Sequence, residues 1–302
     1  MSLVWVHRYA KLLVCATLLL VAAGGMVTST SSGLSVPDWP TTYGYSMFSF
    51  PLGKMVGGIY YEHGHRLIAS TVGCLTIGLA LFLWRVDPRR WMRRLGLIAV
   101  AAVVAQGVLG GLTVLYSLPA PISIGHAGLA QLFFGLTVSI ALFTSAGWRQ
   151  PATAPVDDAR LRHRATVLTA LIYAQILLGA TVRHLGAGLA IPDFPLAFGR
   201  LVPPIWTQPI AIHFAHRVGA ATIIVLVLMT VADIWRRHGT RRELTRVSWL
   251  LVAAVAAQVT LGALVVLSRR QPIVNTLHVA TGAIVLVTSL VITLRTYRVR
   301  FD

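Results

Sequence analysis

Eight apolar runs set the pattern of the chain, at 12–31, 63–84, 95–116, 122–147, 165–184, 210–234, 247–268 and 273–294. Each approaches the ~20 residues with which a helix crosses ~30 Å of hydrocarbon. The pattern therefore predicts an all-α polytopic membrane protein with eight transmembrane helices. The segment WRQPATAPVDDARLRHR at 148–164 is polar and carries prolines. It is the natural boundary between an amino-terminal half, 1–150, and a carboxy-terminal half, 151–302.

Composition agrees. Of 302 residues, 56% are hydrophobic and 12% charged, against about 25% charged in soluble domains. Disorder and a conventional soluble enzyme are excluded. The net charge of +17 would suit nucleic acid, but the basic residues lie between apolar runs. Nineteen of the 26 Lys and Arg residues fall in alternate linkers and at the two ends. The positive-inside rule makes that side cytoplasmic, with both termini inside. The partner implied is membrane lipid, not nucleic acid. Short ends without an evident transit peptide favour a bacterial plasma membrane. Cys15 and Cys74 lie in apolar runs with no CxxC pattern, and are expected to be small buried residues.

The halves resemble each other. GLSVPDWP at 33–40 recurs as GLAIPDFP at 188–195, and AAVVAQGVLGGLTV at 101–114 as AAVAAQVTLGALVV at 253–266. EHGHR at 62–66 has the counterpart HFAHR at 213–217. Such self-similarity indicates duplication. Four spans per half, an even number, predict two tandem four-helix bundles related by a pseudo-two-fold axis along the membrane normal. Run 1, whose basic start and apolar core look like a signal peptide, then has a counterpart in run 5 and belongs to the fold.

Ionisable residues inside spans are costly and usually functional. His65 and His126 lie near the starts of runs 2 and 4, and His216 and His278 near the starts of runs 6 and 8. At 1.5 Å per residue each sits about one turn inside the outer boundary. Each half thus presents two imidazoles at similar depth from two helices, which is what a six-coordinate haem requires. Copper or zinc is the rival, but no thiolate or carboxylate cluster completes either pair. Gly107, Gly110, Gly111 and Gly125, with Gly262 and Gly282, admit a flat ligand or a close helix. His7, His163 and His238 are in Arg-rich segments and are expected to be solvated.

Arg66 and Arg217 each follow one of these histidines on the less basic side. A guanidinium there suits a haem propionate, or else lipid phosphate or loop carbonyls. The PDWP and PDFP segments are expected to form rigid outer loops, in which Asp38 and Asp193 cap a turn or engage an arginine. Glu62 aligns with His213. It precedes His65 by three positions and so shares its helix face. A partly desolvated carboxylate there is a candidate acid, base or cation-stabilising group; the alternative is an interfacial acid favoured by the helix dipole.

These features together resemble the haem A synthase family: ExxHR in span 2, HxxHR in span 6, histidines opening spans 4 and 8, and GLxxPDWP in the first outer loop. The resemblance covers nearly the whole chain. It implies an oxidoreductase that converts haem O to haem A, taking the methyl at pyrrole position 8 to a formyl group through a hydroxymethyl intermediate. By matching position, His216 and His278 would ligate a haem b cofactor in the carboxy-terminal half. His65 and His126 would flank the substrate haem O, and Glu62 matches the family's functional glutamate. Arg66, Arg217 and His213 would hold propionates or support the ligands from behind. A haem O-producing farnesyltransferase and the terminal oxidase assembly are implied as partners, and self-association into a homo-oligomer is left open. Many bacterial members carry a cysteine pair in the first outer loop. Here that loop reads SSGLSVPDWPTTYGYSMF and has none, so no mechanism that needs the pair operates in this chain.

A di-haem b-type electron carrier explains the four histidines equally well, but not the exchange of glutamate for histidine between halves. A transporter fits the duplication, but not histidines at the outer helix ends. The charge asymmetry gives a topology test: reporter fusions at residue 155 and at the carboxy terminus should both report cytoplasm, and an outside report from either would mean a miscounted span.

Overall fold

The computed structural model describes residues 2–149 and 158–298. The described residues form helices joined by loops, with no strand beyond two isolated bridges. Eight helices are long and apolar enough to cross a membrane. They are α1 (Leu3–Ser29), α2 (Gly58–Val86), α3 (Arg90–Leu115), α4 (Ala120–Thr144), α6 (Ala159–His184), α7 (Gln208–Arg237), α8 (Arg242–Leu267) and α9 (Pro272–Tyr297), with a short α5 (Ala146–Arg149) after α4. The chain divides into two compact units, Met1–Gln150 and Pro151–Asp302; residues 150–157 of the polar linker lie outside the described residues.

The helices outrun the apolar pattern. α1 begins at Leu3 and α6 at Ala159, so Arg8, Lys11, Arg160, Arg162 and Arg164 are helical. Arginine and lysine are good helix formers whose stems lie along apolar surface while the charge reaches out. Hydropathy therefore stops before the backbone does. Helix ends carry their own signals. Pro88 follows α2, where a ring without an N–H halts the hydrogen-bond ladder. Asp158 caps α6 by accepting from Leu161 N–H at 2.9 Å, and Gln271 caps α9 by accepting from Val274 N–H at 2.8 Å.

In the first unit each of α1 to α4 packs on its two neighbours, and α4 closes back on α1. α6 to α9 form the same closed ring in the second unit. α2 and α4 therefore stand on one diagonal, as do α7 and α9. Leu13, Leu79, Met92 and Ile140 are fully buried in the first bundle. Leu168, Ile234 and Leu251 fill the second. Lipid is as apolar as leucine, so close packing and polar contacts hold such helices together. Gly96 supplies the first: a Cβ there would lie 3.2 Å from the Ala80 Cα across the α2–α3 contact. Thr169 supplies the second, bonding Ser289 at 2.7 Å and Thr293 at 2.9 Å on α9.

Two expectations are corrected. Cys15 and Cys74 are exposed, not buried; on a helix facing lipid a small thiol has no water to avoid. His7 and His238 are not simply solvated. His7 Nδ1 lies 3.0 Å from the Ala141 carbonyl and ties α1 to α4, while His238 pairs with Asp158 at 3.1 Å.

Candidate functional site

The four histidines occupy matching places. His65 is on α2 and His126 on α4, one diagonal of the first bundle; His216 on α7 and His278 on α9 form the same diagonal of the second. Each lies six to eight residues past its helix start, which is about 10 Å, or two turns, deep. Every imidazole rests on a glycine of the preceding helix. Cβ atoms built at Gly24, Gly110, Gly179 and Gly262 would meet the Cε1 atoms of His65, His126, His216 and His278 at 3.0, 3.3, 2.9 and 3.1 Å. A methyl at any of the four would press on the ring.

The small residues named from sequence thus sort into separate jobs. Gly110 and Gly262 carry imidazoles, while a Cβ at Gly107 or Gly125 would meet nothing. Gly111 receives the Trp39 indole, whose ring carbons lie 2.4–2.7 Å from the ideal Cβ position. Gly24 and Gly179 escaped sequence reasoning. Their signal is positional: each lies nine residues before Gly33 or Gly188, the first residue of the repeated loop motif.

Glutamines one turn before three of these glycines reach the same histidines. Gln175 Nε2 lies 3.0 Å from His216 Nδ1 and donates to the His216 carbonyl at 2.6 Å. Gln258 Nε2 lies 3.3 Å from His278 Nε2. Gln106 Nε2 donates to the His126 carbonyl at 3.0 Å. The Nδ1 atoms of His65 and His278 are buried without a protein partner.

The loops before α2 and α7 are clamped to the site in the same way. Arg66 donates to the carbonyls of Val36 (3.0 Å), Asp38 (2.8 Å) and Thr41 (2.9 Å). Arg217 donates to the equivalent carbonyls of Ile191 (3.1 Å), Asp193 (2.7 Å) and Leu196 (2.8 Å). Both guanidiniums are spent on loop backbone, the third of the partners considered for them. Glu62 and His213 complete the clamps. Glu62 Oε1 pairs with Arg66 at 2.7 Å and Oε2 accepts from Val36 N–H at 2.8 Å. His213 Nδ1 accepts from Ile191 N–H at 3.3 Å, with Arg217 Nε 3.4 Å from its Nε2. His63 ties the first loop through Thr42 at 3.0 Å and packs on Phe50.

Asp38 and Asp193 cap turns. Asp38 accepts from the N–H groups of Tyr43 (2.7 Å) and Gly44 (2.9 Å) and from the Thr41 hydroxyl; Asp193 accepts from Phe198 and Gly199, both at 2.8 Å. The capped residues have positive φ: Tyr43 and Phe198 at 50° and 56°, Gly44 and Gly199 at 76° and 72°. Only the carbonyls of the two aspartates meet the arginines. Partial burial raises the Asp38 carboxyl, but bonds from Gly44, Thr41 and Tyr43 outweigh it and bring it from 3.8 to about 2.

A haem asks for one nitrogen above and one below the iron in an apolar gap. Imidazoles on a diagonal, with the Nδ1 atoms of His65 and His278 left unpartnered, fit that demand. Among the described residues no group of three or more His, Cys, Asp or Glu gathers, so a three- or four-ligand metal centre does not fit. The fold and site define a polytopic helical membrane protein with one part-buried histidine pair in each of two four-helix units. The chain belongs to the COX15-CtaA family: residues 7–291 match the family model described as cytochrome oxidase assembly protein. It is 34% identical over 277 residues to the heme A synthase of Symbiobacterium thermophilum, covering 88% of this chain and 87% of the relative. It is 28% identical over 290 residues to that of Halalkalibacterium halodurans, covering 93% and 95%.

The turn caps give a pH test. A depressed carboxylate contributes stability that is complete above its unfolded pKa and lost as pH falls through the folded one. Cleavage of the 33–57 loop by pepsin should therefore stay slow at pH 4 and accelerate towards about pH 2. Asp38→Asn should be cleaved readily throughout. An equally pH-dependent Asp38→Asn would remove Asp38 as the group responsible.

Proposed function

We propose that this protein is a haem A synthase of the bacterial plasma membrane, with both termini cytoplasmic, that oxidises the position-8 methyl of haem O to a formyl group through a hydroxymethyl intermediate. The observation that carries the reading is the recurrence of a glycine-seated histidine diagonal in both units, with Glu62 beside the first and His213 beside the second.

His216 and His278 would hold a resident haem b, which when bound supplies a one-electron redox centre. His65 and His126 hold the substrate haem O by its iron, fixing the macrocycle so that the methyl is presented in one orientation. The Gly24 and Gly110 notches set the ring positions from behind. Arg66 and Arg217 are positioning residues that lock the loops against the helices that carry His65 and His216. Trp39, seated on Gly111, lies one residue from the notch of His126 and walls that side of the substrate site. Glu62 is the charge-bearing group. Loss of hydride-equivalent electrons from a methyl conjugated to the porphyrin builds positive charge, which a fixed carboxylate stabilises. The terminal oxidase assembly consumes the product, and a haem O-forming farnesyltransferase supplies the substrate.

The experiment is expression with a haem O source, purification, and chromatography of extracted haems. His216→Ala and His278→Ala should lose the resident low-spin haem b. His65→Ala and His126→Ala should keep most of it and impair turnover. Loss from His65→Ala with retention in His278→Ala would reverse the assignment of the units. Glu62→Gln should keep haem b, accumulate haem O and form roughly 10²-fold less haem A. Near-normal haem A from Glu62→Gln would remove Glu62 from the chemistry and favour a di-haem electron carrier.

A further inference from the structure

On the arginine-rich side of the membrane each unit turns one helix hairpin, α2–α3 in the first and α7–α8 in the second. The first hairpin meets its own charge. Asp87 is fully buried. It accepts from the Arg89 N–H at 3.0 Å and pairs with the Arg89 guanidinium at 2.9 and 2.7 Å. Arg93 donates to the Asp87 carbonyl at 2.8 Å, and the two guanidiniums lie over the Trp91 and Trp84 rings.

The second hairpin has no such acid. Gly239 stands 152 positions after Asp87, the offset that also joins Gln106 to Gln258. A Cβ at Gly239 would lie 2.7 Å from the Trp235 carbonyl oxygen, so a side chain has no room there. A groove of about 360 Å³ takes its place, lined by Trp235, Gly239, Thr245 and Trp249. The two indoles lie 4.2 Å apart with 33° between their planes, and Trp235 Nε1 donates to Ser248 at 2.8 Å. The apolar runs of the two helices end at 234 and begin again at 247. Both indoles therefore sit at the headgroup level, where tryptophan is favoured.

The groove is rimmed by cations. Arg236, Arg242 and Arg246 are exposed, and among the described residues they enter no ion pair or side-chain hydrogen bond. Arg242 and Arg246 share one face of α8 with Thr245 and Trp249, at the i, i+3, i+4, i+7 spacing. Glu243, the acid of this hairpin, lies 3.7 Å from Arg241. α8 also starts without a side-chain cap, and the free N–H groups of a helix start favour an anion.

We propose that the α7–α8 groove binds the headgroup of one anionic phospholipid, whose phosphate meets the arginines of the second hairpin as Asp87 meets those of the first. Guanidinium pairs well with phosphate. The tryptophan wall selects lipid over a water-borne anion. Trp249 and Leu250 are 60% and 54% exposed and continue the lipid-facing surface of α8, along which the acyl chains lie. Arginines beside a membrane attract anionic lipid in general; the groove turns that attraction into one fixed site.

The test uses the full-length protein in detergent, equilibrated with equal amounts of phosphatidylglycerol and phosphatidylcholine, with bound lipid counted by native mass spectrometry. One phosphatidylglycerol should be retained in preference. Arg242→Gln with Arg246→Gln should weaken its binding about 10-fold or more. Arg90→Gln with Arg94→Gln removes the same charge from the matching, equally exposed positions of the first hairpin and should leave binding near the parent. No preference for phosphatidylglycerol in the parent overturns the proposal. Equal losses in the two double variants also overturn it, since they would report surface charge alone. Displacement of the lipid by an equal concentration of inorganic phosphate or of an acidic peptide would give the groove to those ligands and overturn it too.

Discussion

A guanidinium carries more donors than one carboxylate can absorb, and in each unit the surplus fastens a loop to a helix. Arg66 reaches the carbonyls of Val36, Asp38 and Thr41, and Arg217 reaches those of Ile191, Asp193 and Leu196. A lysine has the charge but not the planar fork, and would not span three carbonyls. Arg66 is 8% exposed, so its charge must be fully met by protein. The loop it gathers carries Trp39, which seats on Gly111 beside the His126 notch, and the helix it belongs to carries His65. Loop, ligand helix and site wall are thus positioned by one side chain. Loss of a partner from such a buried pair typically costs about 3–5 kcal/mol, enough to free the loop without unfolding a bundle held by lipid-facing helices.

The second unit repeats the clamp with different side chains. At the positions matching Trp39 and Gly111 stand Phe194 and Ala263, and Arg217 lies over the Phe194 ring. Glu62 becomes His213. A carboxylate accepts from both donors offered, the loop N–H and the guanidinium. A neutral imidazole has one acceptor nitrogen and satisfies one of the two. The first clamp is therefore the more completely paired.

Eight helices and the four histidines were legible in the sequence because hydropathy and intramembrane charge are each written locally. Helix starts were not: Arg8, Arg160 and Arg162 continue the helix at positions where the apolar pattern ends. The arginine partners were legible only as alternatives, since three loop carbonyls converge through a turn whose geometry depends on Asp38 capping Tyr43 and Gly44. The cysteines were misread by a rule from soluble cores, where exposure means water. The groove beside Gly239 was hidden for another reason. A repeat is found through identities, whereas Asp87 against Gly239 informs through difference.

Glu62 is bound at both oxygens, and that constrains its chemistry. As a proton acceptor it would lose the charge that pairs with Arg66, and so weaken the tie to the loop beside the proposed substrate site. To stabilise positive charge it need not move at all. Preorganised groups act without reorganisation when charge develops, and a carboxylate fixed by two bonds in a low-dielectric site is such a group. Its field is reduced by the neighbouring guanidinium, whose other donors are turned to the loop carbonyls. A histidine in that place, as at His213, carries no negative charge to offer, and on the reading proposed above this exchange of one side chain separates the unit that does chemistry on a haem from the one that keeps it.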